Sequence, residues 1–172
     1  MGRKRFNDMT CSIAQALDAF GDWWSLLIIR DAFFGIRRFS DFQQNLGIAK
    51  NILSERLGWL VEQGILVRQD VGQTGQRFEY ELTPKGEALL PVLTALREWS
   101  DQWVYGKGHE PLVVTERKTG KRVPTIKVKN ADGRSLQRAD LRSLPGPGAD
   151  ESVHALFARL AALREDRTDR SA

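Results

Sequence analysis

Residues 37–66, RRFSDFQQNLGIAKNILSERLGWLVEQGIL, form two amphipathic segments joined by a few residues around Gly47. The first predicts a short helix over Ser40–Leu46, in which Ser40 and Gln43 have the spacing of a capping box. The second predicts a longer helix over Ala49–Gln63, because its apolar residues fall at helical spacing. The opposite side of this longer helix is polar along its length. We therefore expect one face to pack in a core and the other face to be available to bind a partner.

Two further helices are predicted ahead of these segments. The first covers Cys11–Phe20 and follows Thr10, a residue type suited to the N-cap position. The second covers Asp22–Phe34 and is apolar nearly all round, which is typical of a helix buried in the centre of a domain. Gly35 is expected to end it.

The pattern changes to alternation after the longer amphipathic helix. Ile65–Val71 and Arg77–Thr83 alternate apolar and polar residues as half-buried strands do, and the glycine-containing stretch between them predicts a hairpin tip. Thr83 followed by Pro84 is a helix start signal. The apolar stripe that follows predicts a long helix over Pro84–Val104.

The character of the chain changes again after Tyr105. We expect the helices and hairpin described so far to form a winged domain with its dimerisation helices over residues 9–104. A basic β-hairpin extension is expected over residues 105–144, with turns at residues 118–120 and 132–133. Residues 145–149 contain PGPG and predict a linker. An amphipathic helix capped by Asp150 is expected over residues 150–165, followed by a frayed tail over residues 166–172.

This order of elements predicts an α+β, mostly α fold: a winged helix-turn-helix with a long C-terminal helix and a hairpin/helix extension. Such a fold places a helix in the major groove of double-stranded DNA, where base edges present distinct donors and acceptors. On the longer amphipathic helix, the candidate base contacts are Lys50, Asn51, Ser54 and Arg56. Around the start of the short helix, the candidate phosphate contacts are Arg37, Arg38 and Ser40. At the hairpin tip, the candidate wing contacts are Gln76 and Arg77. Arg56 lies toward the buried flank, so pairing with an acidic residue is its alternative role.

Several motifs together resemble the HxlR-type family of bacterial winged-helix regulators. They are a cysteine at the start of the first helix, W-x-LLIIRD, RRFS-DF, LS-x-RL and Y-x-LTPKG, and the resemblance covers about residues 11–104. It implies a homodimer that binds operator DNA and usually represses a nearby gene. Ala49 departs from the family, which often has a capping serine there, and the basic extension belongs to only some members.

Cys11 is the candidate redox sensor. A thiolate is stabilised in the first turn of a helix, and Arg3, Lys4 and Arg5 are close in sequence. The resemblance also implies sensing, since several family members are thought to detect oxidants or electrophiles at this place. The alternative is a small buried side chain that fills a gap. Five tryptophans raise the further idea of a small-ligand pocket, although aromatic residues at helical spacing more often form a core or a dimer interface.

The net charge of +4 is unevenly distributed. Residues 1–104 hold 12 Lys/Arg and 13 Asp/Glu, a net of −1, whereas residues 105–172 hold 14 and 9, a net of +5. DNA binding by the first part must therefore rest on local placement of cations. The basic extension is either an auxiliary DNA clamp or a solvated hairpin beside the dimer. A winged helix used only for protein–protein contact, without specific DNA binding, is the alternative function.

The remaining composition argues against other classes of protein. One cysteine and two histidines do not make a structural zinc site, so we expect no metal and no cofactor. His109 and His154 lie in the extension with nothing to connect them to Cys11, so we do not expect an enzyme. The longest apolar run is far too short to span a membrane, and a single cysteine fits the reducing cytoplasm.

Overall fold

The computed structural model describes residue 6, residues 8–72 and residues 77–169, with side chains through residue 163. The chain divides into two compact units, Ala19–Lys127 and Met1–Asp18 with Val128–Ala172. The helices and strands, in chain order, are α1 (Ser12–Phe20), α2 (Trp23–Phe33), α3 (Phe39–Leu46), α4 (Lys50–Glu62), β1 (Leu66–Asp70), β2 (Phe78–Leu82), α5 (Pro84–Glu87), α6 (Leu90–Ser100) and α7 (Glu151–Asp169). A π-helical turn, Asp101–Tyr105, follows α6, and a 3-10 turn, Arg138–Asp140, precedes α7. The mostly helical winged helix-turn-helix fold is confirmed.

The core of the larger unit forms around α2, which packs against α3, α4, α6 and β2. Ile28 and Ile29 of α2 are fully buried, as the apolar character of this segment predicts. α3 contributes Phe42, and α4 contributes Leu53, Leu57 and Leu60 from one face. This burial holds α3 and α4 against α2 and leaves the opposite face of α4 exposed.

The wing is a two-stranded antiparallel sheet of β1 and β2, in which Leu66 pairs with Leu82 and Asp70 with Phe78. Beyond it, Thr83 accepts a hydrogen bond from the Gly86 amide, so the predicted start at Thr83–Pro84 is confirmed. A Cβ at Gly86 would lie 2.3 Å from the Ile65 carbonyl oxygen. Only glycine therefore permits this close approach between α5 and the strand entry.

The predicted capping box at Ser40 is wrong. α3 begins at Phe39, Arg38 takes the N-cap position, and the Ser40 hydroxyl donates to Asp41. The physical reason is that the backbone before α3 is held in an extended form by β2. The Tyr80 amide donates to the Arg37 carbonyl at 2.8 Å, so the chain turns into a helix as soon as this pairing ends. Thr10 is not an N-cap either, since α1 begins at Ser12 and the Thr10 hydroxyl donates to Asp150.

The long helix predicted over Pro84–Val104 is not continuous. It is divided into α5, α6 and the π-helical turn, with a break at Ala88 and Leu89. Pro91 lies in the first turn of α6, where its missing N–H costs nothing, whereas in a helix interior proline clashes with the preceding turn. The proline therefore begins a new helix.

The basic segment after Tyr105 contains turns rather than a ladder of strands. Within residues 105–149, all of which the structure describes, pairing is limited to two isolated bridges, Thr115 with Arg122 and Lys129 with Ser135. The first bridge cannot extend far, because Pro124 follows Val123 and has no N–H to donate. The predicted turns are present at Gly120 and Gly133, both with positive φ. The Ile126 amide donates to Glu98 of α6 at 2.9 Å, so this end of the segment is held against that helix.

In the smaller unit, the predicted cap of the last helix is confirmed. The Asp150 carboxylate accepts hydrogen bonds from the Val153 amide at 3.1 Å and from the Ser152 hydroxyl at 2.6 Å. The same side chain accepts from Thr10, which joins the segment before α1 to the segment before α7. No described helix is long and apolar enough to cross a membrane.

Candidate nucleic-acid interface

The turn between α3 and α4 sets the direction of the second helix. Gly47 has φ 61°, and its amide donates to the Gln43 carbonyl, which ends α3 with a left-handed residue. Ile48 is buried immediately afterwards. α4 then begins at Lys50 with Ala49 at the N-cap, where no described side chain accepts a hydrogen bond from the first amides. The N-terminus of α4 therefore keeps donors available for an external acceptor.

Three of the predicted base-contacting residues share the exposed face of α4. Lys50, Asn51 and Ser54 are all exposed, whereas Leu53 and Leu57 on the other face are fully buried. The exposed residues carry donors and acceptors on side chains of different length. Such a face can form hydrogen bonds with base edges while the buried face holds the helix in place.

Arg56 lies apart from these three residues. Its Nε atom is 3.4 Å from the carboxylate of Asp22, at the cap of α2, and its side chain is only 20% exposed. A second carboxylate, Glu55, lies 3.4 Å from its Nη1 atom. Arg56 therefore forms ion pairs with acidic residues, which is the alternative role predicted from its position at the flank of the buried stripe.

Trp59 fixes the other end of α4. Its indole Nε1 donates to the Ala19 carbonyl at 2.8 Å, which joins α4 to the C-terminal turn of α1. A tryptophan has a single donor, and here it is used within the protein. The tryptophan therefore has a structural role at this position.

The predicted phosphate-contacting arginines lie directly before α3 and are both exposed. Each one forms an ion pair with β2: Arg37 with Glu81, and Arg38 with Glu79 at 3.1 Å. Ser40 is exposed on the first turn of the same helix. Sequence reasoning missed the two glutamates, although the alternation along β2 places both of them on one side of the strand.

The wing is described in part. Arg77 is exposed, and its amide donates to the Asp70 carboxylate at 3.2 Å, which closes the end of the β1–β2 ladder. The predicted wing residue Gln76 lies outside the described residues. A cation that sequence reasoning missed is Arg68 on β1, whose guanidinium lies 4.3 Å from the centre of the Phe78 ring.

Cys11 is exposed, immediately before α1. With Met9, Thr10, Gly146 and Gly148 it lines an open cavity of about 760 Å³ in the smaller unit. The described protomer therefore does not bury the thiol as a gap-filling side chain would require.

A second cavity lies in the larger unit, between α2 and α6. It has a volume of about 680 Å³, and most of its lining is apolar, including Leu26, Phe33 and Leu93. All five tryptophans lie in the described residues, and none of them lines it. Among the described residues, no group of three or more His, Cys, Asp or Glu is placed to hold a metal ion.

Comparison with known proteins identifies this arrangement. A family model described as HxlR-like helix-turn-helix matches residues 19–107, just over half of the chain. The chain belongs to this family. It is therefore a transcriptional regulator with a DNA-binding helix-turn-helix, and the resemblance drawn from the sequence motifs is confirmed.

Individual relatives extend the match beyond the winged helix. The chain is 34% identical over 137 residues to an uncharacterized HTH-type transcriptional regulator of Mycobacterium tuberculosis, Rv3095, covering 80% of this chain and 87% of that protein. The crystal structure of PA1607, described as a candidate transcription factor, has 43% identity and a TM-score of 0.73, covering 78% of this chain and 94% of that one. The redox regulator HypR in its reduced form has 27% identity and a TM-score of 0.50, covering 52% of this chain and 90% of that one. Since 137 matched residues exceed the length of the winged domain, Rv3095 shares part of the extension.

Proposed function

We propose that this HxlR-family protein is a cytoplasmic homodimeric repressor that binds an inverted-repeat operator through α4. The observation that carries the proposal is the exposed face of Lys50, Asn51 and Ser54 opposite the buried Leu53 and Leu57. Lysine and asparagine are side chains that form hydrogen bonds with guanine and adenine edges in the major groove. Arg56 supports the position of α4 through Asp22 and is a base contact only if that ion pair opens.

Contacts with the DNA backbone are assigned to the residues around the start of α3 and to the wing. Arg37, Arg38 and Ser40 bind phosphate on one side of the groove, where the first amides of α3 also favour an anion. Arg77 and Gln76 contact the neighbouring stretch of DNA backbone or the minor groove. These contacts position the protein on the duplex without reading its sequence.

The homodimer is supported by apolar surface that one protomer leaves exposed. Along α6 and the turn after it, Leu96, Trp99 and Trp103 are 50%, 61% and 68% exposed, and on α1 Ile13 is 71% exposed. Large apolar side chains exposed at helical spacing, as along α6 and the turn after it, mark an interface in a soluble protein. A two-fold dimer places its recognition helices about 34 Å apart, one turn of DNA, which is why the operator should be an inverted repeat.

An oxidant or electrophile is the effector that we assign to this repressor, through Cys11. Its thiol is exposed before α1, and HypR, which shares the fold, is a redox regulator. A small apolar ligand in the cavity between α2 and α6 is the second candidate, because that cavity is large enough for a drug-sized molecule.

The function is tested by mapping the genomic sites that the protein binds and by measuring affinity for one of them as salt is raised. A repressor of this kind should occupy inverted repeats upstream of a small set of genes and should bind them less tightly as salt increases. A protein–protein interaction module would enrich no common site, and its complexes through an apolar interface would not weaken in this way.

A further inference from the structure

The two arginines proposed to bind phosphate already have anionic partners in the protein. An Arg37 N–H donates to the Glu81 carboxylate, and Arg38 Nε donates to Glu79 Oε1 at 3.1 Å. The arginine side chains are about half exposed, at 55% and 49%, whereas the glutamate side chains are less exposed, at 33% and 19%. Each arginine is therefore more accessible to an external anion than the glutamate that neutralises it.

Backbone geometry fixes this pairing. Arg38 and Glu79 form a β-bridge, and the Tyr80 amide donates to the Arg37 carbonyl. Since side chains alternate along β2, burial of Tyr80 in the core turns Glu79 and Glu81 together toward the other side. The two ion pairs are thus set by the register between β2 and the segment before α3, and they do not depend on chance encounters of long side chains.

We propose that Glu79 and Glu81 compete with DNA phosphate for Arg38 and Arg37 and thereby limit sequence-independent binding. This inference rests on the proposed phosphate contacts of these arginines. Two guanidinium groups and two carboxylates sum to no net charge, so an approaching phosphate meets a much weaker field than two free arginines would produce. Each arginine must loosen its bond to a carboxylate, or share its donors, before it binds the backbone.

The functional consequence concerns how much of the protein is held by non-specific DNA. Phosphate contacts supply essentially all of the affinity for non-specific sequence. A protein in which these contacts are weakened depends more on the base contacts of Lys50, Asn51 and Ser54 to stay bound. The net charge of −1 over residues 1–104 agrees with this, because the winged domain has no excess of cations to replace them.

The glutamates could instead hold the arginines in the orientation that phosphate requires. Both roles use the same ion pairs, but they predict opposite effects of removing the carboxylate charge. Competition predicts tighter DNA binding by Glu79→Gln and Glu81→Gln, and orientation predicts weaker binding.

The test uses the full chain and a fluorescent duplex of scrambled sequence, with binding followed by anisotropy from about 50 to about 200 mM salt. Glu79→Gln, Glu81→Gln and the double variant are compared with Glu87→Gln, which makes the same change of charge at an exposed glutamate of α5. We expect the first three variants to bind more tightly than wild type and more tightly than the control. The slope of log affinity against log salt should steepen by about one for each arginine released. Over that fourfold range of salt, the gain in affinity should therefore shrink about fourfold for each single variant and about sixteenfold for the double variant.

Arginine variants separate this inference from the proposed function. In an Arg37→Gln/Arg38→Gln background the glutamate variants should give no gain beyond that of Glu87→Gln. If the arginine variants weaken binding but the glutamate variants do not strengthen it, competition is wrong and the phosphate contacts stand. If the arginine variants leave binding to every duplex unchanged, the assigned phosphate contacts are wrong, and the competition is overturned with them. Circular dichroism of each variant establishes that it is folded.

Discussion

The amide of Asn45 in α3 donates to the carboxylate of Asp31 in α2 across 2.7 Å, and this carboxylate is fully buried. Its other oxygen accepts from Arg30 Nε at 3.0 Å and from Arg30 Nη2 at 2.7 Å. A buried charge is tolerated only where such partners replace water. The contact therefore joins the central helix of the core to the first helix of the DNA-binding pair.

Replacing Asn45 with alanine should destabilise the protein by about 1–3 kcal/mol, because one oxygen of the buried Asp31 carboxylate then loses the donor that it has among the described residues. Urea unfolding at a fixed protein concentration measures this loss. Asn51→Ala is the matched control, since Asn51 is exposed on α4 and its loss should change stability by less than about 0.5 kcal/mol. Equal stability of the two variants would show that the contact between α2 and α3 contributes nothing.

Introducing a charge on the exposed stripe of α6 should break the proposed dimer. Leu96→Glu places a carboxylate where apolar surface is expected to meet its symmetric copy, and an unpaired charge in an interface is costly. Sedimentation at micromolar concentration should show a monomer for this variant and a dimer for wild type and for Leu96→Met. A dimer that survives Leu96→Glu would exclude this part of α6 from the interface.

Oxidation should release the protein from DNA through its single cysteine. Treatment of the wild-type complex with diamide or hydrogen peroxide should lower operator affinity, and a thiol reductant should restore it if the product is a disulfide or a sulfenic acid. Cys11→Ser removes the thiol with little change of volume, so the affinity of this variant for the operator should not respond to oxidant. Loss of binding by both proteins under the same treatment would assign the effect to another residue.

Asp150 should respond to acid in a defined range of pH. Hydrogen bonds from the Ser152 hydroxyl, the Thr10 hydroxyl and the Val153 amide lower the pKa of this carboxyl from 3.8 to about 2. Since the folded pKa is the lower one, the contribution of Asp150 to stability is present above pH 3.8 and is lost as the pH falls from about 4 to about 2. An NMR titration of the carboxyl and of the Val153 amide should give a midpoint near 2 in wild type, and the amide transition should be absent in Asp150→Asn. A midpoint near 3.8 would show that the hydroxyl contacts do not persist in solution.

Features of the fold that depend on local pattern could be predicted from the sequence. Three of these features depend on residues that are only a few positions apart: the apolar surface of α2, the spacing of Leu53, Leu57 and Leu60 on α4, and the helix start at Thr83–Pro84. The same local signals indicated which face of α4 would be exposed. The break of the predicted long helix ahead of Pro91 could also have been predicted, because proline disfavours a helix interior.

Features that depend on tertiary pairing could not be predicted in this way. Arg37 and Glu81 are 44 residues apart, and nothing local to either one indicates the other. Ser40 has the right spacing for a capping box, but the pairing of Arg37 and Arg38 with β2 moves the helix start ahead of it. The register of the wing thus decides which cations are free to bind phosphate. The order of charges along the chain does not reveal this register.

The most direct measurement compares the affinity of the mapped operator with that of a scrambled duplex, for wild type, Lys50→Ala, Asn51→Ala and Arg38→Gln at the same salt concentration. Wild type should prefer the operator by roughly a thousandfold or more. Lys50→Ala and Asn51→Ala should each reduce that preference by about 1–3 kcal/mol, whereas Arg38→Gln should weaken both duplexes alike and leave the preference intact. If all three variants lose affinity equally for both duplexes, or if wild type binds both duplexes with the same affinity, α4 is not the element that reads the sequence.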